Sequence, residues 1–223
     1  MLNISSYIDH TLLKPTCTSA EIRKLCEEAI LYHFVAVCVP PCWVKQASDA
    51  IFGTDVKVAT VVGFPLGYEV LKAKLMETEQ AIIDGADELD VVINLSALKS
   101  GSWSYLQKEM EQIVNFIHHS RKLIKVIIET GLLTDEEIVQ CCLLYEKMGV
   151  DFLKTSTGYA EKGASVNAVH LMRKNLPDAV KIKASGGIRT YDFAKQLIDA
   201  GASRLGSSAG VHIVQSAIEQ SVS

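Results

Sequence analysis

The sequence predicts an α/β fold, closed into a barrel of eight parallel strands that alternate with helices, and three observations carry the prediction. Short β-branched runs recur along the chain, each followed by a helical pattern. Three of those patterns end in a glycine that leads straight into the next run, at Gly85, Gly149 and Gly201, where a left-handed residue would stop a helix. No linker or change of composition divides the 223 residues, which suits a single domain over 1–223. A compact (β/α)8 barrel of the TIM type, for which about 250 residues is typical, fits that length.

The elements follow in order. Tyr7-Ile8-Asp9 reads as a short first strand. Thr18 and Glu21 then have capping-box spacing, and Ile22, Leu25, Cys26, Ala29 and Ile30 follow on one helical face. Phe34–Val39 and Val56–Val62 are the second and third strands, and Glu88–Ile93, after Gly85, is the fourth. A long helix carrying His118 and His119 near its end precedes the fifth strand, Leu123–Ile128. Thr134 and Glu137 repeat the capping box before Ile138, Cys142, Tyr145 and Met148. Asp151–Lys154 is the sixth strand and Val180–Ala184 the seventh. Thr190 caps a helix with Ala194, Leu197 and Ile198 on one face, and Ser203–Gly206 is the eighth strand. The alternative is a doubly wound open sheet; the lack of a G-x-G-x-x-G after the first strand weighs against it.

Composition excludes several functions. A formal charge of −4 with no block of like charge argues against nucleic-acid binding and against docking on anionic membrane. No apolar stretch approaches the roughly 20 residues of a membrane helix. The first residues lack the basic region and apolar run of a secretion signal, so a cytoplasmic location is expected. The six cysteines lack CxxC spacing and read mostly as free, core-filling thiols. The His118-His119 pair suits a helix end, Trp43 and Trp103 suit packing, and no metal is expected.

Strands of a parallel barrel are covered on both faces and should be nearly all apolar. Asp90, Lys125, Lys154, Lys181 and Lys183 break that rule. A lone lysine at a strand end is usually solvated. Lys154 and Lys183, however, lie towards the C-terminal ends of neighbouring strands, where barrel active sites are built. Two ammonium groups there would be close and partly desolvated, and both effects lower a lysine's pKa. A lysine near neutrality can attack a carbonyl and form a Schiff base. With Asp90 beside the pair, the pattern points to carbonyl chemistry. Ser185-Gly186-Gly187 and Gly206-Ser207-Ser208-Ala209-Gly210 follow the last two strands. Freed backbone N–H groups and hydroxyls at those positions suit a phosphate.

The order of motifs is itself distinctive. Ile8-Asp-His-Thr-Leu-Leu-Lys-Pro15, Val62-Gly-Phe-Pro-Leu-Gly67, Ala86-Asp-Glu-Leu-Asp-Val-Val-Ile-Asn94 and Lys125-Val-Ile-Ile-Glu-Thr130 come first. Asp151-Phe-Leu-Lys-Thr-Ser-Thr-Gly158, Lys181-Ile-Lys-Ala-Ser-Gly-Gly-Ile-Arg-Thr190 and Gly201-Ala-Ser-Arg-Leu-Gly206 follow. In these, from about Tyr7 to Val214, the chain resembles the deoxyribose-phosphate aldolase family, lyases of the class I, Schiff-base type. The resemblance implies a TIM barrel that reversibly cleaves 2-deoxy-D-ribose 5-phosphate to acetaldehyde and D-glyceraldehyde 3-phosphate, in deoxynucleoside catabolism. It implies Lys154 as the nucleophile, Lys183 as the cation that depresses its pKa, and Asp90 as proton donor and acceptor through a water. Asp9 and Lys125 would be supporting charges of the same interior, grouped with Thr157, Gly186, Gly187, Gly206 and Ser208 on the substrate side. No cofactor or metal is implied, because the Lys154 iminium is the electron sink.

Four stretches depart from the family pattern: Pro40-Pro41, Tyr68-Glu-Val-Leu, Tyr159 and Ala209. They bear on substrate entry and phosphate grip and remove no reacting group. Two other readings stand beside the aldolase. One is a barrel epimerase or decarboxylase acting on sugar phosphates, which leaves the two lysines poorly explained. The other is a catalytically dead sugar-phosphate binder, which has no use for two close lysines in low dielectric. The oligomeric state is open, a homodimer or other homo-oligomer being one expectation.

Overall fold

A computed structural model describes residues 3–222. Eight strands form a closed parallel barrel in sequence order. They are β1 (Ile8–Thr11), β2 (Ala36–Val39), β3 (Lys57–Val62), β4 (Glu88–Val92), β5 (Leu123–Ile127), β6 (Phe152–Lys154), β7 (Lys181–Ser185) and β8 (Arg204–Ser207). β1 pairs with β8 to close the ring, Asp9 standing opposite Gly206. The outer helices are α1 (Ser19–Leu31), α2 (Val44–Ala50), α3 (Leu71–Ile83), α4 (Leu95–Lys99), α5 (Trp103–His119), α6 (Asp135–Glu146), α7 (Val166–Asn175), α8 (Tyr191–Asp199) and α9 (Gly210–Val222). Every predicted strand is present, with ends moved by one or two residues. The largest change is β1, which runs on to Thr11 because that residue still pairs with Cys38.

Local signals act as the sequence predicts. Thr18 and Thr134 each close a complete capping box, and Thr190 accepts from the Phe193 N–H. Gly85, Gly149 and Gly201, each following a helix, all have positive φ. Two aspartates hold strand beginnings at the N-terminal face. Asp87 accepts from the Val58 N–H at 3.1 Å, and Asp151 from the Ile124 N–H at 2.9 Å. Asp151 also pairs with His118 at 2.9 Å, so that histidine fastens the end of α5 to the barrel floor. Trp43 and Trp103 pack half-buried against the main core. All six cysteines are free; four are buried, whereas Cys42 is exposed and so fills no core.

Alternation along the strands sorts residues into two compartments. Leu89 and Val91 of β4, Ile124 and Val126 of β5, Leu153 of β6, Ile182 and Ala184 of β7 and Leu205 of β8 join the helices in one apolar cluster outside the barrel. Met110, Ile113 and Ile117 of α5 belong to that cluster, each fully buried. Burial of this kind stabilises by about 1.5–3 kcal/mol per large side chain. The opposite parity faces the barrel interior. On β2 and β3 it supplies Ala36, Cys38, Ala59 and Val61, a small apolar group topped by Leu13 and Phe64. On the remaining strands it supplies charge.

Candidate active site

Seven ionisable side chains fill the interior from β4 round to β1: Glu88, Asp90, Lys125, Lys154, Lys183, Arg204 and Asp9. The strands position them by register, Asp90 beside Lys125, Lys154 beside Lys183, and Lys183 beside Arg204. Asp90 is the hub. Its Oδ1 accepts from Lys125 at 2.8 Å, and its Oδ2 accepts from both Lys154 and Lys183 at 2.7 Å. Lys183 also lies 2.5 Å from Asp9 Oδ2, and Lys125 lies 2.6 Å from Glu88. Arg204 pairs with Asp9 at 2.5 Å and with Glu88 at 2.9 Å. Phe152 closes the layer, the Arg204 guanidinium lying 5.9 Å from its ring centre.

Buried charges are stable only when paired, since desolvation of a lone ion costs several kcal/mol. Here four cations share three carboxylates. Lys125, Lys183 and Arg204 each reach two carboxylates within 3 Å, whereas Lys154 reaches only Asp90. Lys154 is therefore the cation the layer holds least firmly. Burial lowers its pKa most; the Lys183 charge lowers it further, against the opposing pull of Asp90. Burial would lower Lys183 too, but Asp9 and Asp90 outweigh it and raise that pKa. Burial alone would raise Asp9, yet Arg204, Lys183 and Lys125 bring it down to about 2. Asp90 goes well below the usual carboxylate range, where burial loses to Lys125, Lys154 and Lys183.

Above this layer, at the C-terminal ends of the strands, opens a cavity of about 440 Å³. Lys154 lines it, as do Thr157, Gly186, Gly187, Gly206 and Ser208. Asp90 is bonded to Lys154, and Lys183 is bonded to the same Asp90 oxygen; neither lines the cavity. Asp9 and Lys125 are fully buried and line no part of the cavity, so their place is in the charge layer under it. Of the charges picked out on the strands, Lys181 alone is exposed. Gly187 has φ +78° and nothing within 4 Å of where a Cβ would stand. Gly186 is instead crowded, a Cβ there falling 2.9 Å from Gly163. Ser207 donates to Ile188 O at 2.7 Å and accepts from the Ala209 N–H, tying the two glycine-bearing loops together at the start of α9. Lys14 and Arg189 add positive charge to the cavity wall. Phosphate oxygens suit such a wall of N–H donors, hydroxyls and cations.

The remaining wall is built by loops. Tyr159 donates to Leu13 O at 2.7 Å and meets Phe64 edge-on, with ring centres 5.4 Å apart. Glu129, just past β5, is buried with a left-handed backbone (φ +55°) and holds the Thr157 N–H and hydroxyl. Burial raises its pKa, with the Thr157 bonds and the Lys154 charge opposing. Among the described residues, no three His, Cys, Asp or Glu side chains come together to hold a metal ion.

Sequence reasoning missed Glu88, Arg204, Glu129, Lys14 and Arg189. Glu88 has a legible signal, being two residues from Asp90 and so on the same strand face. Arg204 and Glu129 carry no local one, because their partners lie far away in the chain.

A barrel in which a cavity-lining strand lysine shares a buried carboxylate with a second lysine has the make-up of a Schiff-base lyase. Residues 4–216 match the DeoC/LacD family of aldolases, and the chain belongs to that family. It is similar to the deoxyribose-phosphate aldolase of Caldanaerobacter subterraneus subsp. tengcongensis, 49% identical over 96% of this chain and 94% of that one. A solved aldolase, QR15, superposes with a TM-score of 0.94 at 38% identity, covering 100% of this chain and 99% of that one. The deoxyribose phosphate aldolase of Aeropyrum pernix, described as tetrameric, gives 0.91 at 33% identity over 97% and 92%.

Proposed function

We propose that this chain cleaves 2-deoxy-D-ribose 5-phosphate reversibly to acetaldehyde and D-glyceraldehyde 3-phosphate, with Lys154 as the Schiff-base nucleophile. The reading rests on one observation above all. Lys154 is the least-paired cation of the buried layer and the one lysine of that layer that lines the cavity. A free lysine of pKa about 10.4 would be neutral in roughly one molecule in a few thousand at pH 7. Burial and the Lys183 charge increase that fraction at Lys154.

In this mechanism the neutral Lys154 amine adds to the aldehyde carbon, C1, of the open sugar. Loss of water gives the iminium. Removal of the C3 hydroxyl proton lets the C2–C3 bond break, its electron pair flowing into the iminium. Glyceraldehyde 3-phosphate leaves, the enamine takes a proton at C2, and water releases acetaldehyde from Lys154. Asp90 is assigned the proton transfers through a water. Held by three cations it is a weak base; as the C2–C3 electron pair neutralises the iminium, Lys154 no longer contributes a charge, and Asp90 becomes more basic as it receives the C3 proton. Gly186, Gly187, Gly206 and Ser208, with Lys14 and Arg189, are assigned to the phosphate. Cytoplasmic location and self-assembly complete the reading. No helix among the described residues is long and apolar enough to cross a membrane, and the Aeropyrum pernix relative is a tetramer.

Incubation with deoxyribose 5-phosphate, borohydride reduction and peptide mapping tests the assignment. A covalent adduct on Lys154, with acetaldehyde released in the unreduced reaction, is the expected result. Turnover without an adduct, or an adduct on another lysine, would overturn it.

A further inference from the structure

Glu129 is a buried carboxylate that the mechanism above does not use, and it is held at a backbone conformation costly for a residue other than glycine. Its contacts show what it does to its neighbour. The Thr157 N–H donates to Oε2 at 3.1 Å and reaches Oε1 at 3.3 Å, and the Thr157 hydroxyl donates to Oε2. A hydroxyl has one proton and two lone pairs. The Thr157 proton is committed to Glu129, and one lone pair accepts the Tyr159 N–H at 3.1 Å. Towards the cavity that Thr157 lines, the hydroxyl can therefore only accept.

We propose that Glu129 is a positioning residue that fixes Thr157 as an acceptor-only group, so that the site selects acceptor aldehydes carrying a hydroxyl beside the carbonyl. The proposal rests on the aldolase reading. Thr157 lies on the same cavity wall as Lys154, which takes C1, and Gly187, which faces the phosphate. The hydroxyls between those ends are on C3 and C4. The C3 hydroxyl loses its proton and becomes the carbonyl oxygen of the product, so an acceptor-only partner would oppose cleavage there. The C4 hydroxyl keeps its proton throughout and matches an acceptor at every stage. In the condensation direction that group is the C2 hydroxyl of glyceraldehyde 3-phosphate.

The test is kcat/KM for condensing acetaldehyde with D-glyceraldehyde 3-phosphate against 3-phosphonooxypropanal, which lacks that hydroxyl. The wild-type protein should favour the hydroxylated acceptor by about tenfold, the worth of one well-made hydrogen bond. In Glu129→Gln the amide NH2 can donate to Thr157, turning the hydroxyl proton towards the cavity. The substrate hydroxyl must then turn round to accept, losing the partner of its own proton, so the preference should fall by about threefold, mostly by loss on the hydroxylated arm. Glu129→Asp, which keeps the charge and tolerates a left-handed backbone, should restore part of it. Both arms falling together in Glu129→Gln, with the ratio unmoved, would overturn the proposal. If that variant does not fold, Thr157→Val removes only the hydroxyl and leaves the carboxylate; a retained preference there overturns the proposal equally. No turnover by the wild-type protein would sink the aldolase reading and this inference with it, whereas turnover with an unmoved ratio sinks this inference alone.

Discussion

The two halves of the barrel interior are built on opposite principles. The β2–β3 half is filled by Ala36, Cys38, Ala59 and Val61, which need only fit. The other half is filled by three carboxylates and four cations, each of which must be matched. Apolar contact has no direction and leaves nothing over. Charge pairing is counted in oxygens and protons, and this count leaves one lysine short. The proposed nucleophile thus stands where the fold's pairing runs out, opposite a half that offers no carboxylate to make up the difference.

The strongest way to break that contrast is to remove the under-paired group. Lys154→Ala should lower turnover on the order of 10⁴-fold or more and abolish borohydride trapping, read by coupled assay and intact mass. Since Lys154 reaches only one carboxylate, the folded state should tolerate this change better than loss of any other member of the layer. Asp90→Leu tests the other extreme. It strands Lys154 and takes one of two carboxylate partners from both Lys125 and Lys183, and should destabilise by about 3–5 kcal/mol in urea titration. A loss below about 1 kcal/mol would show that the layer is not held by its hub.

Lys183→Leu sharpens the comparison through pH. It deletes the cation that depresses Lys154 and frees Asp90 to hold the Lys154 proton more tightly. Lys154 then needs a higher pH to lose its proton. The pH of half-maximal trapping should rise by about one unit, with trapping still on Lys154. Trapping lost at every pH in this variant, but kept in Lys154→Ala, would reverse the two roles.

Acid separates the halves by a smaller margin. Asp9 is depressed from 3.8 to about 2 and Asp90 is depressed further. Their stabilisation is complete above pH 4 and drains as pH falls towards the folded-state values, Asp9 alone accounting for on the order of 2 kcal/mol. Val61→Ala, in the apolar half, should lose about 1.5 kcal/mol at pH 7 and the same amount at pH 3. A Val61→Ala effect that changes with pH would mean that the two halves are coupled.

Much of this was legible in the chain. The eight strand–helix units follow from β-branched runs, capping boxes and helix-stopping glycines, all of which act within a few residues. Lys154, Lys183 and Asp90 stood out because charge interrupts apolar runs. Glu88 and Arg204 did not, because each begins its strand, where a charge is ordinarily solvated. Their burial comes from barrel closure, which brings Arg204 to Glu88 across 116 residues. Glu129 was hidden for a related reason. It stands in a loop, and its partner Thr157 is 28 residues on, in another. Spacing along a helix or strand shows which residues share a face; it does not show which faces meet.

The chain of contacts from Arg204 through Asp9, Lys183 and Asp90 to Lys154 works as a relay of competing claims. Weakening Arg204 hands Asp9 more fully to Lys183, loosens Lys183 from Asp90, and leaves Asp90 to grip the Lys154 proton. The basicity of Lys154, the proposed nucleophile, is thereby adjustable from a side chain that lines no part of the cavity. An enzyme with such a linkage can drift in working pH by exchanges deep in its barrel while its binding surface stays unchanged.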